Sequence, residues 1–147
     1  MRVIIHCSAS SFGNAIQIND WHKARGFTMI GYHYVILNGK ITPKKFNKFF
    51  DGTVESGRPI DDDEDFELDE IGAHAFGYNR SVGICMIGNS GQFTYKQMAS
   101  LEKLIKELRT HFLEGLEIMQ HSDVDPHNKP WCAGLDKNYV VDLNFMT

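Results

Sequence analysis

The sequence predicts a mixed α/β chain of the α+β class, a single domain with a central mixed β-sheet flanked by helices. An apolar, β-branched run opens the chain at Arg2 to Cys7, and a second near-continuous apolar run, SVGICMIG, spans Ser81 to Gly88. Around them lie segments with helical periodicity and recognisable caps. The 147 residues are 42% hydrophobic and 23% charged, an ordinary composition for one globular unit. No repeat or low-complexity linker divides them, so one domain over residues 1–147 is expected.

Taken in order, Arg2 to Cys7 reads as a buried strand and Ser8 to Gly13 as a loop. Asn14 caps a helix from Ala15 to Arg25, with Ile18, Trp21 and Arg25 along one stripe and Gly26 just past its end. Tyr32 to Leu37 and Thr53 to Gly57 read as antiparallel strands. Their connection, Asn38 to Gly52, is longer than a tight hairpin needs, so the Lys-rich piece Thr42 to Phe50 is expected as an insertion at the hairpin tip. Ser81 to Gly88, bounded by turn signals, is a central strand with Cys85 in the core. Thr94 and Gln97 form a capping box ahead of Met98, Leu101, Ile105, Leu108 and Phe112 at helical spacing. Leu116 to Met119 is a short strand leading into His121, and Ser122 to Gly134 is a loop carrying two prolines.

Charge is unevenly spread. Asp61 to Glu70 holds eight of the 19 acidic residues, leaving 11 against 15 basic ones elsewhere. This stretch and the Lys-rich piece read as solvated surface loops, and neither is long enough to make the chain a nucleic-acid binder. No run of 18 apolar residues occurs, so membrane insertion is not expected. The opening MRVIIHCSAS lacks the long apolar core of a secretory leader, and cytoplasmic synthesis is expected. Three cysteines are an odd, sparse set, which argues for a reducing compartment or a metal role over a disulfide framework.

His6 and His121 sit at the ends of predicted strands, where a side chain can be held rigidly while facing a loop. Cys132 follows His121 by 11 residues across a Pro-containing loop and can fold back to the same point. Two imidazoles and a thiolate would leave the fourth position of a tetrahedral zinc ion open for water. On spacing alone, scattered core and surface histidines with a buried cysteine are the favoured reading, because no HExxH or paired CxxC supports the site.

The local words add to this. IIHCSAS (Ile4 to Ser10), WHKARGF with GYHYVI (Trp21 to Ile36), GTVESGRP (Gly52 to Pro59), GAHAFGYNRSVGICMIGN (Gly72 to Asn89) and HSDVDP followed by Lys129 and Cys132 cover nearly the whole chain. In that order they resemble the type 2 N-acetylmuramoyl-L-alanine amidases, zinc hydrolases that include amidase-type phage lysozymes and the animal peptidoglycan recognition proteins. The resemblance implies that His6, His121 and Cys132 bind Zn2+ and that Tyr32 and Lys129 are the catalytic pair. It also implies that His74, Tyr78 and Asn79 line the substrate groove, and that the bond cut joins N-acetylmuramic acid to L-alanine. Tyr32 and His33 are neighbours on a predicted strand and face opposite sides, so only one can reach the site. The resemblance selects Tyr32 and leaves His33 as a packed, hydrogen-bonded histidine. Asp123 is expected to fix the turn after His121 or to act behind the ligands, and Trp21 and His22 to pack the first helix. One spacing departs from the phage enzymes: Pro130 and Trp131 separate Lys129 from Cys132, where those enzymes have a single residue.

Two other classes compete. A peptidoglycan-binding module without activity would keep the groove and lose the metal residues, and a thiol hydrolase would pair Cys7 with His6. Within the amidase reading, a phage or prophage lysin and a cytosolic muropeptide-recycling enzyme share one chemistry and differ in substrate size. The small build favours the lysin, a monomer acting on peptidoglycan after another protein permeabilises the membrane.

Overall fold

β1 (Arg2–Cys7) forms where the first apolar run predicted it, and everything after Arg2 in it is buried. The computed structural model describes residues 1–61, 63 and 65–146; Asp62 and Glu64 of the acidic stretch lie outside the described residues. The other elements are α1 (Ala15–Ala24), β2 (Tyr34–Thr42), β3 (Lys45–Ser56), β4 (Val82–Met86), α2 (Tyr95–His111), β5 (Glu117–Gln120), α3 (His121–Val124) and α4 (Lys137–Leu143). One five-stranded sheet runs in the order β3-β2-β4-β1-β5. β2, β4, β1 and β5 are mutually parallel and β3 is antiparallel at the edge, which makes the sheet mixed as expected.

Parallel strands covered on both faces must be apolar on both, which is why β1 and β4 read as continuous runs rather than alternating ones. On one face Val3, Ile5, Ile84 and Met86 pack with Leu101, Ile105 and Leu108 of α2 and Leu143 of α4. On the other, Val35, Leu37, Cys85 and Ile87 pack with Ile18 of α1. His6 is as buried as the core residues of the same strand but brings two polar ring nitrogens, and the site grows from it.

The caps formed as read. Asn14 Oδ1 accepts the Gln17 amide at 2.8 Å, and Gly26 follows α1 at φ 96°. Thr94 Oγ1 accepts the Gln97 amide while Gln97 Oε1 accepts the Thr94 amide, closing the capping box. The side-chain Nε2 of the same Gln97, a fully buried residue, donates to Ile36 O and Ile87 O and so ties α2 to the sheet.

Two expectations are corrected. The Lys-rich piece is not a tip insertion: only Pro43 and Lys44 separate β2 from β3, and the strands themselves continue through it. Register shifts between Ile36 and Asn38, Asn38 and Lys40, and Lys40 and Thr42 absorb the extra residues as irregularities in the ladder. Gly39, at φ 91°, sits under Phe46, and a Cβ there would lie 2.4 Å from the ring. Phe46 and Phe49 are left exposed on this long ribbon. The acidic stretch is not wholly solvated either, because Phe66 enters the core and Glu70 is buried. The Glu70 carboxylate accepts the amides of Asp61 (3.0 Å) and Glu67 (3.2 Å) and so folds the loop onto itself. α4 was not anticipated; Asp136 Oδ1 caps it on the amides of Asn138 and Tyr139, and Val140 and Leu143 bury its inner side.

Candidate metal centre and active site

His6 reaches the site from β1, at the level where the strand pairs with Cys85 of β4. His121 begins α3 immediately after β5, and the Asp123 carboxylate accepts the Gln120 amide at 2.9 Å, fixing the turn as expected of Asp123. Cys132 is returned to the same point by a set of hydrogen bonds with no sequence signature. The buried Gln120 side chain donates to Leu135 O and accepts from Leu135 N, both at 3.0 Å, clamping the far end of the loop to β5. Ser122 N donates to Cys132 O at 2.6 Å, and Gly91 N donates to Ala133 O at 3.0 Å.

The result is a compact donor set. One ligand atom from each of His6, His121 and Cys132 lies within 4.8 Å of the others, and all three residues are buried. The two Nδ1 atoms are 3.1 Å apart, and the Cys7 amide donates to Cys132 Sγ at 3.3 Å. Two imidazoles and a sulfur at this separation fit a borderline-soft cation such as zinc.

Tyr32 lies just before β2, with its ring centroid 5.0 Å from that of His6. Its loop is held by His22, whose Nδ1 accepts the Gly31 amide at 2.9 Å; His22 is thus a packing and hydrogen-bonding residue of α1, as read. His33 faces away: Nδ1 accepts from Gly83 N and Nε2 donates to Glu70 O. Lys129 sits in the turn before Cys132, its ammonium 5.2 Å from the Trp131 ring centroid, and its charge reaches both His6 and His121.

The three residues expected in the groove are differently placed. His74 has no free ring nitrogen, since Nδ1 bonds His6 Nε2 (2.9 Å) and Nε2 bonds Ser81 O (3.0 Å). Asn79 Oδ1 accepts the amides of His74 and Ala75 and shapes the loop from within. Tyr78 lines a cavity of about 550 Å³ with Arg2 and Glu117, residues that begin β1 and β5. Arg2 is four strand positions from His6, on the order of 13 Å.

Burial dominates the electrostatics. It holds His6 well below the ordinary histidine range, with His74 and His121 adding repulsion, and it lowers His74 to about 3. His121 is lowered by burial and then by Lys129. All three rings are therefore neutral at pH 7, the form that can offer a lone pair to a cation. Burial, and after it the Cys85 sulfur, raises Tyr32 well above 10, so the phenol is protonated at pH 7 and its hydroxyl can donate a hydrogen bond. The neighbouring Cys7 sulfur and burial push the Cys132 thiol up in the metal-free chain.

A neutral His/His donor pair with a sulfur, on a mixed sheet, could hold a metal ion. The family model for N-acetylmuramoyl-L-alanine amidase matches residues 1–134, and the chain belongs to that family and is an amidase of that specificity. It is 33% identical over 140 residues to the endolysin of Klebsiella phage KP32, covering 88% of this chain and 79% of that protein. Among solved structures it is similar to the N-acetylmuramoyl-L-alanine amidase LysC from Clostridium intestinale URNW (25% identity, TM-score 0.71, 97% of this chain and 80% of that one). It shares its fold with PGRP-SA of Apis mellifera at 22% identity and TM-score 0.61, over 84% of this chain and 71% of that one. No helix among the described residues is long and apolar enough to cross a membrane.

Proposed function

We propose that the protein is a zinc-dependent lysin that cuts the amide between the lactyl carbonyl of N-acetylmuramic acid and L-alanine in polymeric peptidoglycan. The observation that carries this is the convergence of His6, His121 and Cys132 within 4.8 Å, beside Tyr32. These three residues would hold zinc, whose chemistry at such a site is polarisation of a carbonyl and acidification of water. Lys129 places a positive charge where the amide oxygen becomes negative and steadies it. Tyr32, kept protonated by burial, orients the attacking water through its hydroxyl or relays the water's proton to the departing amine, taking up one proton as it passes one on and ending as the phenol. The neutral imidazoles of His6 and His121 keep their lone pairs for the cation. The likeness to a phage endolysin over most of both chains supports the lysin reading over muropeptide recycling.

Product analysis on isolated sacculi tests this. The expected result is release of peptides with a new L-alanine amino terminus, no new reducing sugar ends, and faster turnover of sacculi than of soluble muropeptides. New reducing ends would contradict the amidase assignment, and a preference for soluble muropeptides would favour the recycling enzyme.

A further inference from the structure

His74 is not spent on the groove, and its surroundings explain why. The ring is buried against the sheet in a slot that two glycines leave open: a Cβ on Gly83 would lie 2.7 Å from the ring, and one on Gly72 would lie 2.4 Å from it. Within that slot both ring nitrogens are committed. The carbonyl of Ser81, at the mouth of β4, can only accept, so the proton facing it belongs to His74 Nε2. A neutral imidazole that has given its one N–H there offers only a lone pair at Nδ1. The partner of that lone pair, His6 Nε2 at 2.9 Å, must then carry the proton of the His6 ring. Nδ1 of His6 is left bare, and that is the atom 3.1 Å from His121 Nδ1 in the donor set.

We infer that His74 is a positioning residue which, through the chain Ser81 O, His74, His6, fixes the tautomer and ring angle of His6 so that Nδ1 presents its lone pair to the metal. The inference rests on the zinc reading above for its consequence, but the tautomer itself is a property of the metal-free chain. The T-shaped contact of the two rings, with planes at 88°, holds the angle as well as the proton. Second-layer partners of metal-bound histidines are generally worth on the order of 10- to 100-fold in metal affinity.

The test uses the full chain with ¹⁵N-labelled histidine. Long-range ¹H–¹⁵N spectra of the metal-free protein should place the His6 proton on Nε2; a proton on His6 Nδ1 would overturn the inference. In His74→Leu, which keeps bulk and removes both bonds, the His6 signal should shift toward the other tautomer or a mixture. Zinc affinity by chelator competition should fall about 10- to 100-fold. His74→Gln keeps an acceptor and a donor on one side chain and should recover part of that affinity. Unchanged His6 signals and unchanged affinity in both variants would overturn the inference. A parent protein with the expected tautomer but no zinc binding would instead overturn the metal reading and leave the tautomer result standing.

Discussion

The backbone amide of Cys7 donates to the sulfur of Cys132 at 3.3 Å, joining the end of β1 to the returning loop at a cysteine of the donor set. The bond uses the Cys7 backbone, so the Cys7 side chain is dispensable to it. The Cys7 sulfur beside it pushes the Cys132 thiol up, so removing that sulfur should ease deprotonation of Cys132. Cys7→Ala should therefore keep full amidase activity and take up zinc at pH 7 at least as readily as the parent. Loss of turnover in this variant, measured on sacculi, would favour a thiol hydrolase built on Cys7 and His6.

Tyr32→Phe and Lys129→Ala are expected to bind zinc normally and lose turnover by roughly 10-fold or more, since both are proposed to act on protons or charge in the transition state. The loss should appear in kcat more than in KM. If Lys129→Ala matched the parent, the extra residue between Lys129 and Cys132 would have moved the ammonium away from the reacting carbonyl.

The Gln120 clamp predicts a coupled effect on stability and metal. Gln120→Ala leaves the N–H and C=O of Leu135 without their buried partner, a loss of about 1–3 kcal/mol. Calorimetry should show a lower Tm, and chelator competition a weaker hold on zinc, because Cys132 is no longer pinned beside His121. A lower Tm with unaltered zinc affinity would mean that the loop keeps its shape without the clamp.

How far the sequence spoke follows from what kind of interaction builds each part. β1, β4, α1 and α2 were legible because periodicity and caps are local: Asn14, Thr94 and Gln97 do in the structure what their spacing implied. The ribbon was misread because its strands run through Lys44 to Phe50 with irregular pairing, a pattern that lacks the clean alternation of a half-buried strand. Glu70 and Phe66 turned inward from a run of acids whose composition reads as solvent-facing. At the site, His6, His121 and Cys132 were nameable from chain words, whereas the Gln120 clamp and the His74 relay join residues 15 and 68 apart and left no spacing rule to find.

Acid should destabilise the metal-free fold well before carboxylates titrate. His22, His33 and His74 are lowered chiefly by burial, His22 to about 4 and His74 to about 3, against 6.5 for a free ring. Between pH 6.5 and 4 the unfolded chain binds protons that the folded chain refuses, so stability falls as pH drops through this window and is retained above it. Tm should be several degrees lower at pH 5 than at pH 7.5, and His22→Gln, which can still accept the Gly31 amide, should flatten the dependence. A Tm independent of pH over this window would contradict neutral burial of these rings.

Zinc titration into metal-depleted protein, with amidase activity on sacculi followed in parallel, tests the central claim most directly. Activity should be absent without metal, return in proportion to zinc, and saturate near one ion per chain; His121→Ala and Cys132→Ser should neither bind zinc tightly nor recover. Full activity in the metal-depleted protein, or in Cys132→Ser without zinc, would contradict the assignment of His6, His121 and Cys132 as the metal centre.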